Sequence, residues 1–209
     1  EQAEALVITG DLCYDVGKAE IYTWIREVLD EQPLPYYVIP GNHDDTELLV
    51  TAFGLEQHFR AGQLYYASAA DQPPVVFLDS RPGIIGEEQL IFLRTYLAKQ
   101  TGPVVVFVHH PPAQMGVPFM DEHHALRNGE QLLEVLHDYG QAVTVFCGHY
   151  HVDKSLRIGN VDLHVTPSCF FQIDWHFDNF AVDHRRCAYR WIDWNGTRLE
   201  HAVVYVEGE

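Results

Sequence analysis

Tyr37-Val38-Ile39-Pro40-Gly41-Asn42-His43-Asp44-Asp45 decides how the rest of the chain is read. Tyr36 to Ile39 is an apolar run of strand length, stopped by a proline and a glycine. An amide, an imidazole and two carboxylates follow at once. In open α/β sheets, sites are built where polar groups are delivered at the carboxyl ends of strands. Gly-Asn and Asp are equally at home in a solvated turn, so the stretch alone leaves both readings open.

Outward from it, the chain alternates strands and helices. Ala5 to Ile8 reads as a strand ending at Gly10-Asp11. Glu20 to Leu29 places Ile21, Trp24, Ile25, Val28 and Leu29 at helical spacing, and the strand Tyr36 to Ile39 completes a βαβ unit. Thr46 to Phe53 is expected to be a helix capped by Asp45 or Thr46. Two short strands, Leu64 to Ala67 and Val75 to Leu78, flank a polar turn at 70–74. Helices are expected at Glu87 to Lys99 and Glu130 to Tyr139, each followed by a strand, Val104 to Val108 and Ala142 to Phe146. The β-branched run Val104 to Val108 suits a strand covered on both faces. From Leu156 onward the pattern becomes antiparallel, with hairpin signals at Gly159-Asn160 and Asn195-Gly196. No linker or internal repeat divides the chain, so residues 1–209 are read as one domain.

Composition narrows the partners. A hydrophobic share of 47% with 21% charged residues is that of a soluble globular protein, and no apolar run approaches the ~20 residues of a membrane helix. A net charge of -17 argues against a nucleic-acid polymer as partner. An anionic substrate would need cations in its site, and a bound metal supplies them. Cys13, Cys147, Cys169 and Cys187 form no C-x-x-C pair, which points to buried thiols in a reducing cytosol and hence to a cytoplasmic protein.

The chemistry gathers at four strand ends: Gly10-Asp11, Gly41-Asn42-His43-Asp44, His109-His110-Pro111-Pro112 and Gly148-His149-Tyr150-His151. Each follows an apolar strand and is held by Gly or Pro where the backbone must turn. A lone Gly-Asp or a lone histidine means little, but recurrence in one structural position points to a shared metal site. Carboxylate, amide oxygen and imidazole without thiolate favour Mn, Fe or Zn. His149 and His151, two apart, point to one side in extended backbone and can serve neighbouring ions.

The order Gly-Asp, Gly-Asn-His-Asp, His-His-Pro-Pro, Gly-His-x-His resembles the calcineurin-like metallophosphoesterases. The resemblance implies an α/β fold, a four-layer αββα sandwich of two mixed β-sheets flanked by helices, with two divalent metal ions across the strand ends. It implies that Asp11 bridges the metals, that Asn42, His109 and His149 hold the second, and that His151 holds the first. His43 is then the residue that contacts the scissile phosphate and protonates the leaving group, while His110 supports the shell or packs. Two bridged cations activate a water and clamp an in-line displacement, and imidazole is suited to general acid work near neutrality.

A narrower resemblance, to bacterial class III cyclic-nucleotide phosphodiesterases, rests on Gly10-Asp11-Leu12-Cys13-Tyr14-Asp15, Leu78-Asp79-Ser80, the stretch Phe119-Met120-Asp121 to Leu126-Arg127-Asn128, and Thr166-Pro167-Ser168. It implies a 3',5'-cyclic nucleotide such as cAMP as substrate. The alternatives are a glycerophosphodiesterase, a phosphoprotein phosphatase, or a non-catalytic phosphate-binding or partner-binding member. His123 and His124 are expected at the surface or the pocket rim. The family's opening Asp-x-His has no counterpart in the nine residues before Gly10. The expectation is therefore a chain begun past its natural start, without the fold's first strand, leaving the first metal only Asp11 and His151. The antiparallel edge of the C-terminal strands is a surface through which two subunits could pair.

Overall fold

The computed structural model describes residues 3–68, 73–195 and 198–206. Its elements, in chain order, are β1 (Leu6–Ile8), α1 (Ala19–Asp30), β2 (Tyr36–Val38), α2 (Thr46–Phe53), the short strands β3 (Phe59–Arg60), β4 (Gln63–Leu64) and β5 (Tyr66–Ala67), then β6 (Val75–Leu78) and α3 (Glu87–Leu97). There follow β7 (Val104–Val108), α4 (Pro118–His123), α5 (Gly129–Tyr139), β8 (Val143–Cys147), β9 (Lys154–Ile158), β10 (Val161–Val165), β11 (Gln172–Ile173), β12 (Val182–His184), β13 (Ala188–Trp194) and β14 (Leu199–Tyr205).

Six strands form one mixed sheet in the order β5-β6-β7-β8-β10-β9, with β6, β7, β8 and β10 parallel to their neighbours in that run. Alternation sorts its side chains into two layers. Val76, Leu78, Val104, Val106, Val108, Val143 and Val145 join the core beneath α3 and α5, through Leu90, Leu93, Leu97, Leu132, Val135 and Leu136. Phe77, Val105, Phe107 and Phe146 join a second core with Val38, Ile39 and, from α1 and α2, Tyr22, Leu49 and Val50. The parallel pair β1–β2 and the antiparallel pair β13–β14 pack on this face through Val7, Ile8, Ile192 and Leu199. Helices, central sheet, strand pairs and helices thus make the expected four layers.

An aromatic row locks the central register. Tyr66, Phe77, Phe107 and Phe146 are direct cross-strand partners on β5, β6, β7 and β8, with successive ring centroids 4.6, 5.5 and 5.5 Å apart. Tyr37 of β2 stacks on Phe77 at 4.8 Å, so one ring of the second layer reads the register of the first. Such pairs contribute roughly 0.5–1.5 kcal/mol each beyond burial. The row ends at His164 of β10, partnered with Phe146 at 5.4 Å and covered by His201 of β14.

Several boundaries sharpen. Asp45 is the cap of α2, its carboxylate accepting from the Leu48 N–H at 3.0 Å, and Gly159 closes the β9–β10 hairpin at φ +59°. Residues 70–72 of the expected polar turn and Gly196 of the expected hairpin turn lie outside the described residues. Pro118–His123 adds a short helix, too brief to show periodicity although it opens on proline. One reading is corrected. Cys13 and Cys147 are buried, but Cys169 and Cys187 are exposed, because the irregular segment between β10 and β13 lies at the surface.

His164 carries a pH dependence. Burial first, then His201 and Arg190, lowers its pKa to about 4. Arg190 Nη1 donates to His201 Nδ1 at 2.8 Å, the two Nε2 atoms lie 3.2 Å apart, and His164 Nδ1 lies 2.8 Å from Ser155 Oγ. An unfolded imidazole takes up its proton near 6.5, the folded one only near 4. The stability this neutral ring contributes is present above pH 6.5 and is lost as pH falls towards 4. Urea unfolding of His164→Gln should therefore lose less stability across that interval than the unaltered protein; parallel curves would contradict this.

Candidate metal centre

The site is assembled by backbone that ordinary residues avoid. Among the described non-glycine residues, positive φ occurs at Asp11 (57°), Ala61 (50°), His149 (62°) and His151 (52°). Ala61 belongs to the β3–β4 turn; the other three stand at strand ends β1 and β8. Each such residue costs of order 1–3 kcal/mol and persists only where its surroundings enforce it. The glycines allow the strand ends to meet. A Cβ on Gly41 would lie 2.2 Å from Asp11 Oδ1, and one on Gly10 would lie 2.6 Å from both the Gly41 nitrogen and His109 Nδ1.

One buried carboxylate holds the β1 and β2 ends together. Asp44, only 1% exposed, accepts from the N–H groups of Gly41 (2.8 Å), Leu12 (3.2 Å) and Cys13 (3.1 Å) and from the Tyr22 hydroxyl (3.0 Å). Its carbonyl accepts from Arg81 Nε at 2.8 Å. Arg81 is aimed by Asp79, which accepts the Arg81 N–H at 2.8 Å while also binding Thr46 Oγ1 and the Leu64 N–H. Asp44 was read only as a member of its motif; its role as a staple across residues 12–44 was not foreseen.

On this frame four predicted ligands converge. His109 Nε2 lies 3.2 Å from Asp11 Oδ2 and 3.1 Å from Asn42 Oδ1. Ligand atoms of Asp11, His109 and His149 all lie within 4.8 Å of one another. The outer nitrogens are committed elsewhere: His109 Nδ1 sits 2.7 Å from the Thr9 carbonyl and His149 Nε2 sits 3.0 Å from the His124 carbonyl. Since carbonyls only accept, both nitrogens carry hydrogens there, which leaves the inner nitrogens as lone-pair donors in the neutral rings. A carboxylate oxygen, an amide oxygen and two imidazole nitrogens sharing one space, with no hydrogen of their own between them, fit a divalent cation.

Electrostatics agree. Burial opposes charge on Asp11, but His109, the His43 N–H at 3.0 Å and the His43 ring outweigh it and hold the carboxyl well below its usual range. Burial would lower His109, yet the adjacent Asp11 carboxylate outweighs it and raises the imidazole above its ordinary value. His149 is lowered strongly, by burial and then by His110 and His109, and His151 is lowered to about 4, chiefly by burial. Both rings are neutral at physiological pH, as ligands must be.

His151 does not join the three-residue cluster. Its ring leans on Phe171 at 4.7 Å, and its buried Nδ1 has no hydrogen-bond partner among the described residues. His43 sits beside Asp11 with Nδ1 3.2 Å from the Asp15 carbonyl. His110 packs, as expected: its ring lies 4.1 Å from that of His149 and 5.0 Å from that of His109, and Nδ1 meets Ser80 Oγ at 2.8 Å. His124 is exposed, but its carbonyl orients His149, a backbone role no side-chain pattern announces.

Three substitutions separate these roles. Asp44→Ala strands four donors and should cost about 3 kcal/mol in urea unfolding; a loss under ~0.5 kcal/mol would show that the staple does not matter. Asp11→Ala should abolish Mn binding measured by calorimetry, whereas His43→Ala should retain it. Equal loss in both would place His43 among the ligands.

The calcineurin-like phosphoesterase family model matches residues 1–153. A Fibrobacter succinogenes protein named a probable cyclic nucleotide phosphodiesterase is 32% identical over 202 residues, covering 97% of this chain and 78% of the relative. A probable glycerophosphodiester phosphodiesterase of Arcobacter nitrofigilis is 33% identical, covering 71% of this chain and 56% of its own length. Among solved structures, a dimetal phosphatase from Danio rerio superposes with a TM-score of 0.60 over 89% of this chain and 77% of its own, at 16% identity, a likeness of fold alone. The chain belongs to the calcineurin-like phosphoesterase family.

Proposed function

We propose that the protein hydrolyses phosphodiesters, with 3',5'-cyclic nucleotides such as cAMP as its substrate class. The observation that carries the reading is the convergence of Asp11, Asn42, His109 and His149 into a donor set beside His43. Cations held there, two divalent ions with Mn or Fe favoured, supply Lewis acidity to a phosphoryl oxygen and positive charge in a protein of net charge -17. In this reading Asp11 would serve both ions, with Asn42, His109 and His149 holding one and His151, whose Nδ1 has no hydrogen-bond partner among the described residues, holding the other.

His43 has the remaining role. The Asp15 carbonyl fixes the Nδ1 hydrogen, and Nε2 has no protein partner among the described residues. We assign Nε2 the delivery of a proton to the departing sugar oxygen. The backbone N–H of the same residue binds Asp11 Oδ1, so the acid is tied directly to the carboxylate of the metal centre. The name of the Fibrobacter relative favours cyclic nucleotides; that of the Arcobacter relative supports glycerophosphodiesters as the second reading. A cytoplasmic setting goes with the first. No helix among the described residues is long and apolar enough to cross a membrane.

The full-length protein with Mn should hydrolyse bis-p-nitrophenyl phosphate and cAMP, with cAMP faster than glycerophosphocholine. His43→Ala should lower kcat by roughly 10²–10⁴-fold. Metal uptake without turnover of any of the three would favour a non-catalytic role, and preference for glycerophosphocholine would favour the second reading.

A further inference from the structure

Cys169 and Cys187 lie on segments that run antiparallel. The Ala188 N–H donates to the Ser168 carbonyl at 3.2 Å, and Arg190 Nε reaches Thr166 Oγ1 at 3.2 Å. The 168–188 backbone bond and the pairing of Gln172 with His184 between β11 and β12 keep one register, which sets Cys169 opposite Cys187. Gln172 Nε2, bound to the Arg186 carbonyl at 3.0 Å, continues the same run. Each thiol touches the opposing backbone: Cys187 Sγ donates to the Cys169 carbonyl at 2.7 Å, and Cys169 Sγ to the Ala188 carbonyl at 3.4 Å. Residues directly opposite in an antiparallel pair have Cα atoms roughly 4.5–5.5 Å apart, inside the span a disulfide bridges.

Access is selective. Cys169 and Cys187 are exposed while Cys13 and Cys147 are buried, so a soluble reagent meets only the facing pair. Arg185 and Arg186 immediately precede Cys187. The segment beginning at Ser168 packs on His151 and Tyr14, with Phe171 on His151 at 4.7 Å, Phe170 on Tyr14 at 5.5 Å, and the Ile173 N–H on the His151 carbonyl at 3.1 Å.

We propose that Cys169 and Cys187 form a reversible disulfide that staples the segment over His151 to the start of β13. The oxidant is a small-molecule disulfide of the glutathione type. One cysteine thiolate attacks it, forming a mixed disulfide and releasing one thiolate. The second cysteine then attacks the mixed disulfide and releases the other. Two protein thiols are oxidised, one reagent disulfide is reduced to two thiols, and each thiolate released takes up the proton its attacker gave up. This stands independently of the substrate assignment.

The test equilibrates the full-length protein over a series of reduced-to-oxidised glutathione ratios, quenches by alkylation and maps peptides by mass. The two thiols should disappear together with a two-electron slope, in a peptide cross-linking Cys169 to Cys187, and dithiothreitol should restore both. Cys187→Ser, treated alike, should show no cross-link at Cys169. Separate glutathione adducts on Cys169 and Cys187, thiols that stay free throughout, or a cross-link to Cys13 or Cys147 would overturn the proposal.

Discussion

The candidate site depends on a carboxylate outside its own donor set. Asp44 binds N–H groups from both chain turns that carry Asp11 and Asn42, together with the Tyr22 hydroxyl from α1. Burial raises its pKa, and the surrounding hydrogen bonds act against that rise. A buried carboxylate is costly unless its lone pairs are satisfied, and here the donors that satisfy it are the turns that must be held together. Structural need and site geometry therefore coincide in one side chain.

The same economy recurs around the histidines. Thr9 and His124 use backbone carbonyls to fix the tautomers of His109 and His149. Ser80 holds His110, whose ring fills the space beside both. Charge then does the rest: Asp11 is kept ionised, and His149 and His151 are kept neutral. The left-handed backbone at Asp11, His149 and His151 is the strain that such over-determined surroundings sustain.

The strand ends were legible because an apolar run that ends in a polar cluster held by glycine or proline is a local pattern, repeated at Asp11, Asn42, His109 and His149. The helices α2, α3 and α5 were legible from apolar residues that they bury, and α1 from its helical spacing, although Trp24 and Val28 of that spacing are exposed and Tyr22 carries its burial. What was hidden depends on contacts between residues far apart in sequence. Asp44 meets Leu12 across 32 residues, Ser80 meets His110 across 30, and His149 meets the His124 carbonyl across 25. The facing of Cys169 and Cys187 follows from the register of an irregular segment against β13, which no spacing in the chain reveals. The strands β11 and β12 are too short for alternation to register.

The most direct test is electron spin-echo spectroscopy of the Mn-loaded protein, which reads nitrogen nuclei bound to the metal. The account predicts modulation from directly coordinated imidazole, weakened when His109 or His149 is replaced singly by Gln and unchanged when His110 is replaced. A spectrum without imidazole nitrogen, or one indifferent to His109 and His149, would contradict it.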